Sequence, residues 1–187
     1  MNPPNKIKNS YLLYVGNAYP HKNLRRLIKA FKIVSTKFPK LLLVLVGRKD
    51  HFYHRIEEEV KKLGLNERVI FTDELSYGEL SEFYKNGLAY IFPSLSEGFG
   101  LPGLEAMKHN LPVISSNKKP LPEIYGQAAV YFDPENIQDM TRVISETVFN
   151  HLLREKLKIL GQIQVKKYSW KRCAQQTMEV YKWVLEQ

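Results

Sequence analysis

A chain of 187 residues is long enough for one domain with a real core. Its 44% apolar and 25% charged content is ordinary for a globular protein, and one cysteine, Cys173, excludes an internal disulfide framework and any cysteine-based zinc site. The net charge of +9 calls for an anionic partner, but the basic residues are spread over several segments, with no zinc-finger spacing and no aromatic RNP-like strand. Nucleic acid is therefore not the expected partner; phosphorylated ligands or acidic lipid fit better. No apolar run approaches the roughly 18 residues of a membrane span, and residues 1–6 contain no apolar signal region. The cytoplasm is the expected location, with peripheral contact at the inner face of the membrane as an extension of the charge argument.

Residues 1–9 are polar and carry two prolines, so they read as a frayed lead-in. Residues 11–15 form a first apolar strand, followed by a turn, Gly16 to Asn23, and a helix whose apolar face is Leu24, Leu27, Ile28, Phe31 and Val34. The continuous apolar run 41–46 is what a parallel strand covered on both faces requires. A charged helix follows over about 52–63, with Gly64 as its stop. Residues 69–71 make a short third strand, and Ser76 with Glu79 has capping-box spacing for a helix to about residue 84. A fourth strand, 88–92, runs into a glycine-rich turn and a helix that ends at His109-Asn110. Residues 112–114 and 129–132 read as strands five and six, with a short helix or turn at 120–125 between them. Helices are expected at about 136–149, 152–166 and 170–186. The last carries Cys173, Ala174, Thr177, Val180, Tyr181 and Val184 on one stripe, which predicts that it packs on something and that Cys173 is buried.

Six strands alternating with helices predict an α/β fold, a parallel sheet wound on both faces. In such sheets ligands bind at the carboxyl ends of the strands. The candidate residues all fall there: Gly16 to Lys22, Gly47-Arg48, Leu75, and Glu97 to Leu101.

The stretch from Pro93 to Met107 organises the chain. Pro102 suits a helix start, where a missing N–H costs nothing. Backbone N–H groups of residues 99–101 would face out of the turn, and such a helix start attracts phosphate. Glu97 and Glu105 bracket it, so a ligand bearing both phosphates and hydroxyls, such as a sugar nucleotide, fits. Two other readings stand beside this one. Gly98-Phe99-Gly100-Leu101-Pro102-Gly103 matches the dinucleotide fingerprint, but it follows the fourth strand rather than the first, and the next strand ends in Ser115-Ser116 instead of an acid. The stretch also reads as a plain structural turn, with Glu105 present only because acids suit a helix N-terminus.

Pro-Ser-x-x-Glu97-Gly-Phe99-Gly100-Leu101-Pro-x-Leu-Glu105-Ala-Met resembles the signature of the retaining glycosyltransferases of family 4, also called group 1. Further matches run in order from about Tyr11 to Tyr181: Val15-Gly16 with Pro20-His21-Lys22-Asn23, Val46-Gly47, Val69-Ile70-Phe71, Pro112-Val113-Ile114, Leu121-Pro122-Glu123 and Phe132-Asp133-Pro134. The resemblance implies one half of a GT-B architecture, in which two Rossmann-like domains face a cleft. The chain would be the C-terminal, nucleotide-sugar-binding domain alone, residues 1–187 as one unit with 150–187 its C-terminal helices. The N-terminal acceptor domain, or a partner chain in its place, is not in this sequence.

The resemblance also implies roles. Glu105 would accept hydrogen bonds from ribose hydroxyls, and Glu97 would sit at the donor sugar. Backbone N–H groups at Phe99, Gly100 and Leu101 would meet sugar and phosphate oxygens. Lys22 would neutralise the pyrophosphate, Gly16 would let its loop approach closely, and Leu75 would contact the base through its backbone. Glu97 and Lys22 are the expected catalytic residues; no metal or cofactor is expected. The expected reaction moves a hexose, with retention, from a nucleoside-diphosphate sugar to a glycan or lipid. The alternative is a non-catalytic domain that binds a nucleotide-sugar or a partner protein. Taken singly, Lys22 reads as a solvated cation at a helix start and Gly16 as a turn residue. The chain departs from the family at Asn17, where many relatives have Arg, so the diphosphate charge would fall on Lys22. It departs again at Asp73-Glu74, where a small residue is common near the base.

Overall fold

The computed structural model describes residue 7 and residues 9–186; most of the lead-in expected over residues 1–9 lies outside the described residues. The six strands are β1 (Tyr11–Val15), β2 (Leu42–Val46), β3 (Val69–Thr72), β4 (Ala89–Phe92), β5 (Val113–Ser116) and β6 (Ala129–Phe132). They form one sheet in the order β3-β2-β1-β4-β5-β6, and every pair is parallel. The helices are α1 (Leu24–Lys37), α2 (His51–Lys62), α3 (Tyr77–Asn86), α4 (Leu101–Lys108), α5 (Leu121–Tyr125), α6 (Ile137–Phe149), α7 (His151–Val165) and α8 (Trp170–Leu185). β1, β2, β4 and β5 are buried along almost their whole length, as apolar runs covered on both faces must be. α1 packs against α2 and α6 on one face of the sheet. α3 and α4 touch through side chains, and α7 lies on α4.

Local chemistry sets the boundaries. Asp50 caps α2 by accepting from the N–H groups of Phe52 and Tyr53, which starts that helix at His51. Ser76 and Glu79 form the reciprocal capping box. Gly64 and Asn110 take the left-handed conformation that ends a helix. α4 begins at Leu101, so Pro102 holds the second helical position rather than the first; the left-handed residue before it is Gly100, with φ 97°.

Two expectations fail at the C-terminus. α8 has no buried residue anywhere along it, and Cys173 is exposed. Its apolar stripe exists, but no other part of the described chain covers it. α7 starts directly at the end of α6, with Asn150 as its cap.

Gly103 lets α4 lie against α5: a Cβ there would run into the Tyr125 ring and hydroxyl. We expect Gly103→Ala to destabilise the fold by about 1–3 kcal/mol through overpacking. Gly78→Ala, at the second position of α3 with open space around it, should instead stabilise by about 0.4–1 kcal/mol, because the alanine narrows the freedom of the unfolded chain. Chemical denaturation of both variants checks the contrast.

Candidate functional site

The sheet order reverses between β1 and β4. One half of the chain winds outward from β1 to β3 and the other from β4 to β6, so the loops after β1 and β4 leave the same edge side by side. A crevice at such a switch point is where open α/β sheets hold ligands. Three bonds clip the two loops together here. The Leu95 N–H donates to the His21 carbonyl at 2.7 Å. The Asn23 side-chain amide donates to the Pro93 carbonyl at 3.0 Å and to the Pro134 carbonyl at 2.7 Å, bringing in the loop after β6. Lys22 Nζ meets Glu97 Oε1 at 2.7 Å.

Lys22 is thus not a solvated cation. Its side chain is only 16% exposed and that of Glu97 11%, and the ammonium also lies 5.8 Å from the centre of the Phe92 ring. Gly16 sits at φ 149° with its N–H on the Val46 carbonyl and its own carbonyl accepting from the Tyr53 hydroxyl at 2.8 Å. Asn17 turns its side chain back on its own loop, where Oδ1 accepts from the Tyr19 N–H at 3.3 Å. Phe99 and Leu101 are exposed beside the buried Gly100. Among the described residues, the N–H groups of Phe99 and Gly100 make no hydrogen bond within the protein, and Leu101 is the first residue of α4, whose N–H has no intrahelical partner. The hydroxyl of Ser94, fully buried just after β4, also has no partner among the described residues.

Glu105 is exposed four residues into α4, and its orientation is set from α3. The Tyr84 hydroxyl donates to Glu105 Oε2 at 3.0 Å. The Tyr84 ring stacks on His109, with centres 5.3 Å apart and planes 15° apart. His109 Nδ1 lies 2.8 Å from the Glu105 carbonyl and Nε2 lies 3.0 Å from the Ser81 hydroxyl. A carbonyl can only accept, so Nδ1 carries a proton and donates it to the Glu105 carbonyl. Burial and the neighbouring carboxylate of Glu105 push the Tyr84 hydroxyl far above its ordinary range, so it stays a donor.

The structure therefore brings Gly16, Asn17, Lys22, Glu97 and residues 99–101 to one switch point, with Glu105 on the helix that starts there. Leu75 is not joined to them by any hydrogen bond among the described residues. It lies in the loop after β3, three strands from β4 in the sheet order, roughly 14 Å at the usual strand spacing. A groove of about 1360 Å³ runs between α3, α4 and α8, past Tyr77, Tyr84, Phe99, Glu105 and Trp170. It contains the Glu105 end of the site but not the Lys22–Glu97 pair; the two regions meet at Phe99 and Leu101. Among the described residues no group of three or more His, Cys, Asp or Glu side chains gathers to hold a metal ion.

Sequence reasoning missed Tyr84, Tyr125 and Asn23. In the sequence, residues 84 and 125 mark only the ends of a helix and of a short helix or turn, and Asn23 closes a turn. No local signal marks them, because their partners lie 21 to 111 residues away in the chain.

The geometry defines an α/β protein whose switch point gathers a lysine, unbonded backbone N–H groups and two carboxylates. Residues 2–163 match the family described as Glycosyl transferases group 1, and the chain belongs to that family. It is 31% identical over 176 residues to "O-antigen chain mannosyltransferase B" of Escherichia coli, covering 92% of this chain and 45% of that protein. It is 37% identical over 131 residues to "O-antigen chain mannosyltransferase RfbU" of Salmonella typhimurium, covering 70% and 36%. In structure it is similar to the C-terminal domain of a glycosyl transferase group 1 family protein, LpcC, from Francisella tularensis, with a TM-score of 0.74, 24% identity, and coverage of 86% of this chain and 85% of that one. The chain spans less than half the length of these two curated relatives, and its fold is that of one Rossmann-like half of a GT-B glycosyltransferase. Among the described residues no helix is long and apolar enough to cross a membrane.

Removing Lys22 leaves Glu97 charged and unpaired in a largely buried setting. Lys22→Ala is expected to cost more than the about 1 kcal/mol of an exposed pair and less than the about 3–5 kcal/mol of a fully buried one. Lys22→Ala/Glu97→Gln should recover part of that loss. Melting temperatures of the two variants check this: an unchanged value for Lys22→Ala would show that the pair contributes nothing to the fold.

Proposed function

We propose that this chain is the donor-binding part of a retaining glycosyltransferase, which moves a hexose from a nucleoside-diphosphate sugar to a glycan or lipid acceptor. The names of its relatives favour mannose. The observation that carries the reading is the juxtaposition of Lys22, Glu97 and the start of α4 at the switch point. A diphosphate placed there takes the cation from one side and the N–H groups of residues 99–101 from the other. Glu105, already oriented by Tyr84, accepts from the ribose hydroxyls, and the base lies toward Leu75.

The chemical logic follows from where charge develops. As the bond between the anomeric carbon and the phosphate oxygen breaks, that oxygen gains negative charge. Lys22 and the positive end of α4 stabilise it. The acceptor oxygen bonds to the anomeric carbon on the same face, and its proton leaves with the diphosphate. Glu97 holds Lys22 in place before the donor arrives and stands beside the sugar afterwards. Asn17, folded onto its own loop, adds no charge, so Lys22 is the main cation. The acceptor comes from a separate half of the enzyme, and the exposed apolar stripe of α8 is the surface that half covers. Positioning two reactants is worth about 7–11 kcal/mol, so the 187-residue chain by itself should bind donor but transfer little sugar.

Calorimetry with GDP, UDP and ADP and their sugars tests the reading; no binding to any of them would sink it. Glu105→Ala should weaken the preferred nucleoside diphosphate at least about tenfold, since hydrogen bonds to a charged group are worth about 1.5–3 kcal/mol. The same change should leave affinity for the 2′,3′-dideoxy analogue nearly unaltered, and equal losses for both would remove Glu105 from the ribose.

A second prediction compares Glu97→Gln with Lys22→Ala/Glu97→Gln. In this pair the unpaired carboxylate is not a factor. The lysine change should weaken the nucleoside diphosphate while sparing the free nucleoside, and Asn17→Arg should partly restore it. If both ligands lose affinity equally, Lys22 shapes the loop and does not meet the phosphates.

A further inference from the structure

The C-terminal helices carry a surface that the donor site does not use. One side of α7 is anchored: Leu157, Gly161 and Gln164 are buried. Gln162 donates to the Met107 carbonyl at 2.6 Å and Gln164 to the Ile124 carbonyl at 2.7 Å. A Cβ on Gly161 would stand 3.1 Å from Met107 Cγ, so α7 lies close on α4. The other side faces outward, yet it is not polar. Leu152, Ile159 and Ile163 are 80%, 65% and 56% exposed. With the exposed Lys156 they recur at four, three and four residues, which places them in one row along the helix. The row is about 16 Å long at ~1.5 Å per residue. Phe149, 83% exposed, stands at the corner where α6 turns into α7. A solvent-facing helix stripe ordinarily holds charged and polar side chains, and this one holds branched aliphatics.

Charge on the same segment is equally one-sided. Residues 149–172 contain Arg154, Lys156, Lys158, Lys166, Lys167, Lys171 and Arg172 against the single acid Glu155. Seven basic residues and one acidic leave a surplus of six, out of the nine net positive charges of the whole chain. Glu155 is itself held by Lys158 at 2.8 Å. Lys156 lies within the apolar row, and Lys166 and Lys167 are exposed just past the end of the helix.

We propose that this face of α7 docks on an acidic phospholipid surface. Leu152, Ile159 and Ile163 enter the boundary between headgroups and acyl chains, while Lys156, Lys166 and Lys167 meet lipid phosphates. That division of labour is what an interfacial helix needs: an apolar row for depth and lysines for anionic headgroups. A second copy of the chain fits less well, because stripe against stripe would press two segments of surplus positive charge together. A free anion would use the lysines and leave the aliphatic row without a purpose. The inference stands apart from the donor-site reading and survives or fails without it.

The test is sedimentation of the full chain with vesicles of phosphatidylcholine mixed with phosphatidylglycerol, and with vesicles of phosphatidylcholine alone. We expect binding to the mixed vesicles only, weakening as salt rises. Lys156→Gln/Lys166→Gln should reduce partitioning about 25-fold, at about fivefold per lysine. Ile159→Ser/Ile163→Ser should reduce it at least about tenfold, with the melting temperature unchanged because both side chains are already exposed. Val180→Ser/Val184→Ser on α8 should leave binding intact. Equal binding to phosphatidylcholine alone would overturn the proposal, as would full retention by the isoleucine variant or a loss confined to the α8 variant. Sedimentation velocity supplies the remaining outcome: a dimer of the parent chain that dissociates in Ile159→Ser/Ile163→Ser would make the stripe a self-association face instead.

Discussion

The pairing of β1 with β4 is the constraint on which the site depends. It is a short contact, Leu12 beside Ala89 and Leu13 beside Tyr90, but it joins strands whose following loops would otherwise be remote. Once those strands are neighbours, the loop containing Lys22 and the turn containing Glu97 leave the sheet together. Their charges then meet 2.7 Å apart although 75 residues separate them. The Asn23 amide and the Leu95 N–H complete the clasp. A partly buried ion pair offsets its own desolvation only when its geometry is fixed from outside. Here the fixing comes from the Asn23 amide and the Leu95 N–H, which hold the two loops together independently of the pair.

Beneath the loops lies a layer of buried phenols that gives the same edge its rigidity. The Tyr14 hydroxyl donates to the Asn17 carbonyl at 2.6 Å, Tyr53 to Gly16 at 2.8 Å, and Tyr125 to Gly100 at 2.5 Å. Each bonds a loop carbonyl outside the strand ladder, and that of Gly100 also accepts from the Gly103 N–H at 3.2 Å; a hydrogen bond of this kind is worth about 0.5–1.5 kcal/mol. Burial is the main reason that all three hydroxyls are driven upward from the ordinary tyrosine range. They therefore remain neutral donors near neutral pH. Tyr131, pushed up to about 12 by burial, braces the Gly126 carbonyl in the same way. Tyrosine suits this role because its ring fills the core while its one polar atom reaches the edge.

The layout of the sheet was legible because each strand is a short apolar run bounded by turn chemistry. The stops at Gly64 and Asn110 and the capping box at Ser76 were legible for the same reason: each rests on residues within four positions of one another. The clustering of Gly16, Lys22, Glu97 and Leu101 after strand ends was also readable, since a parallel sheet sends all those loops to one edge. Three things were not. Lys22 reads as solvated because its partner is 75 residues away. Tyr84 has no role in the sequence because nothing nearby says that its hydroxyl points at Glu105. Helical periodicity shows that α8 has an apolar stripe, but periodicity carries no information about whether the covering surface lies within the same chain.

That last point separates the two uncovered helices. Around α8 every residue is exposed, and large apolar side chains occur from Trp170 to Leu185 on more than one side. A surface that broad suits another protein layer, which can wrap a helix and supply polar partners as well as apolar ones. α7 differs because half of it is already committed to α4, and what remains is a narrow aliphatic row interrupted by Lys156 and followed by Lys166 and Lys167. A protein partner would have to bring acids to match each of those lysines. A lipid surface brings anionic headgroups and an apolar interior together, in register with any row that can lie flat on it. The contrast thus follows from how much of each helix the fold has already used, and from where along the chain its surplus positive charge is placed.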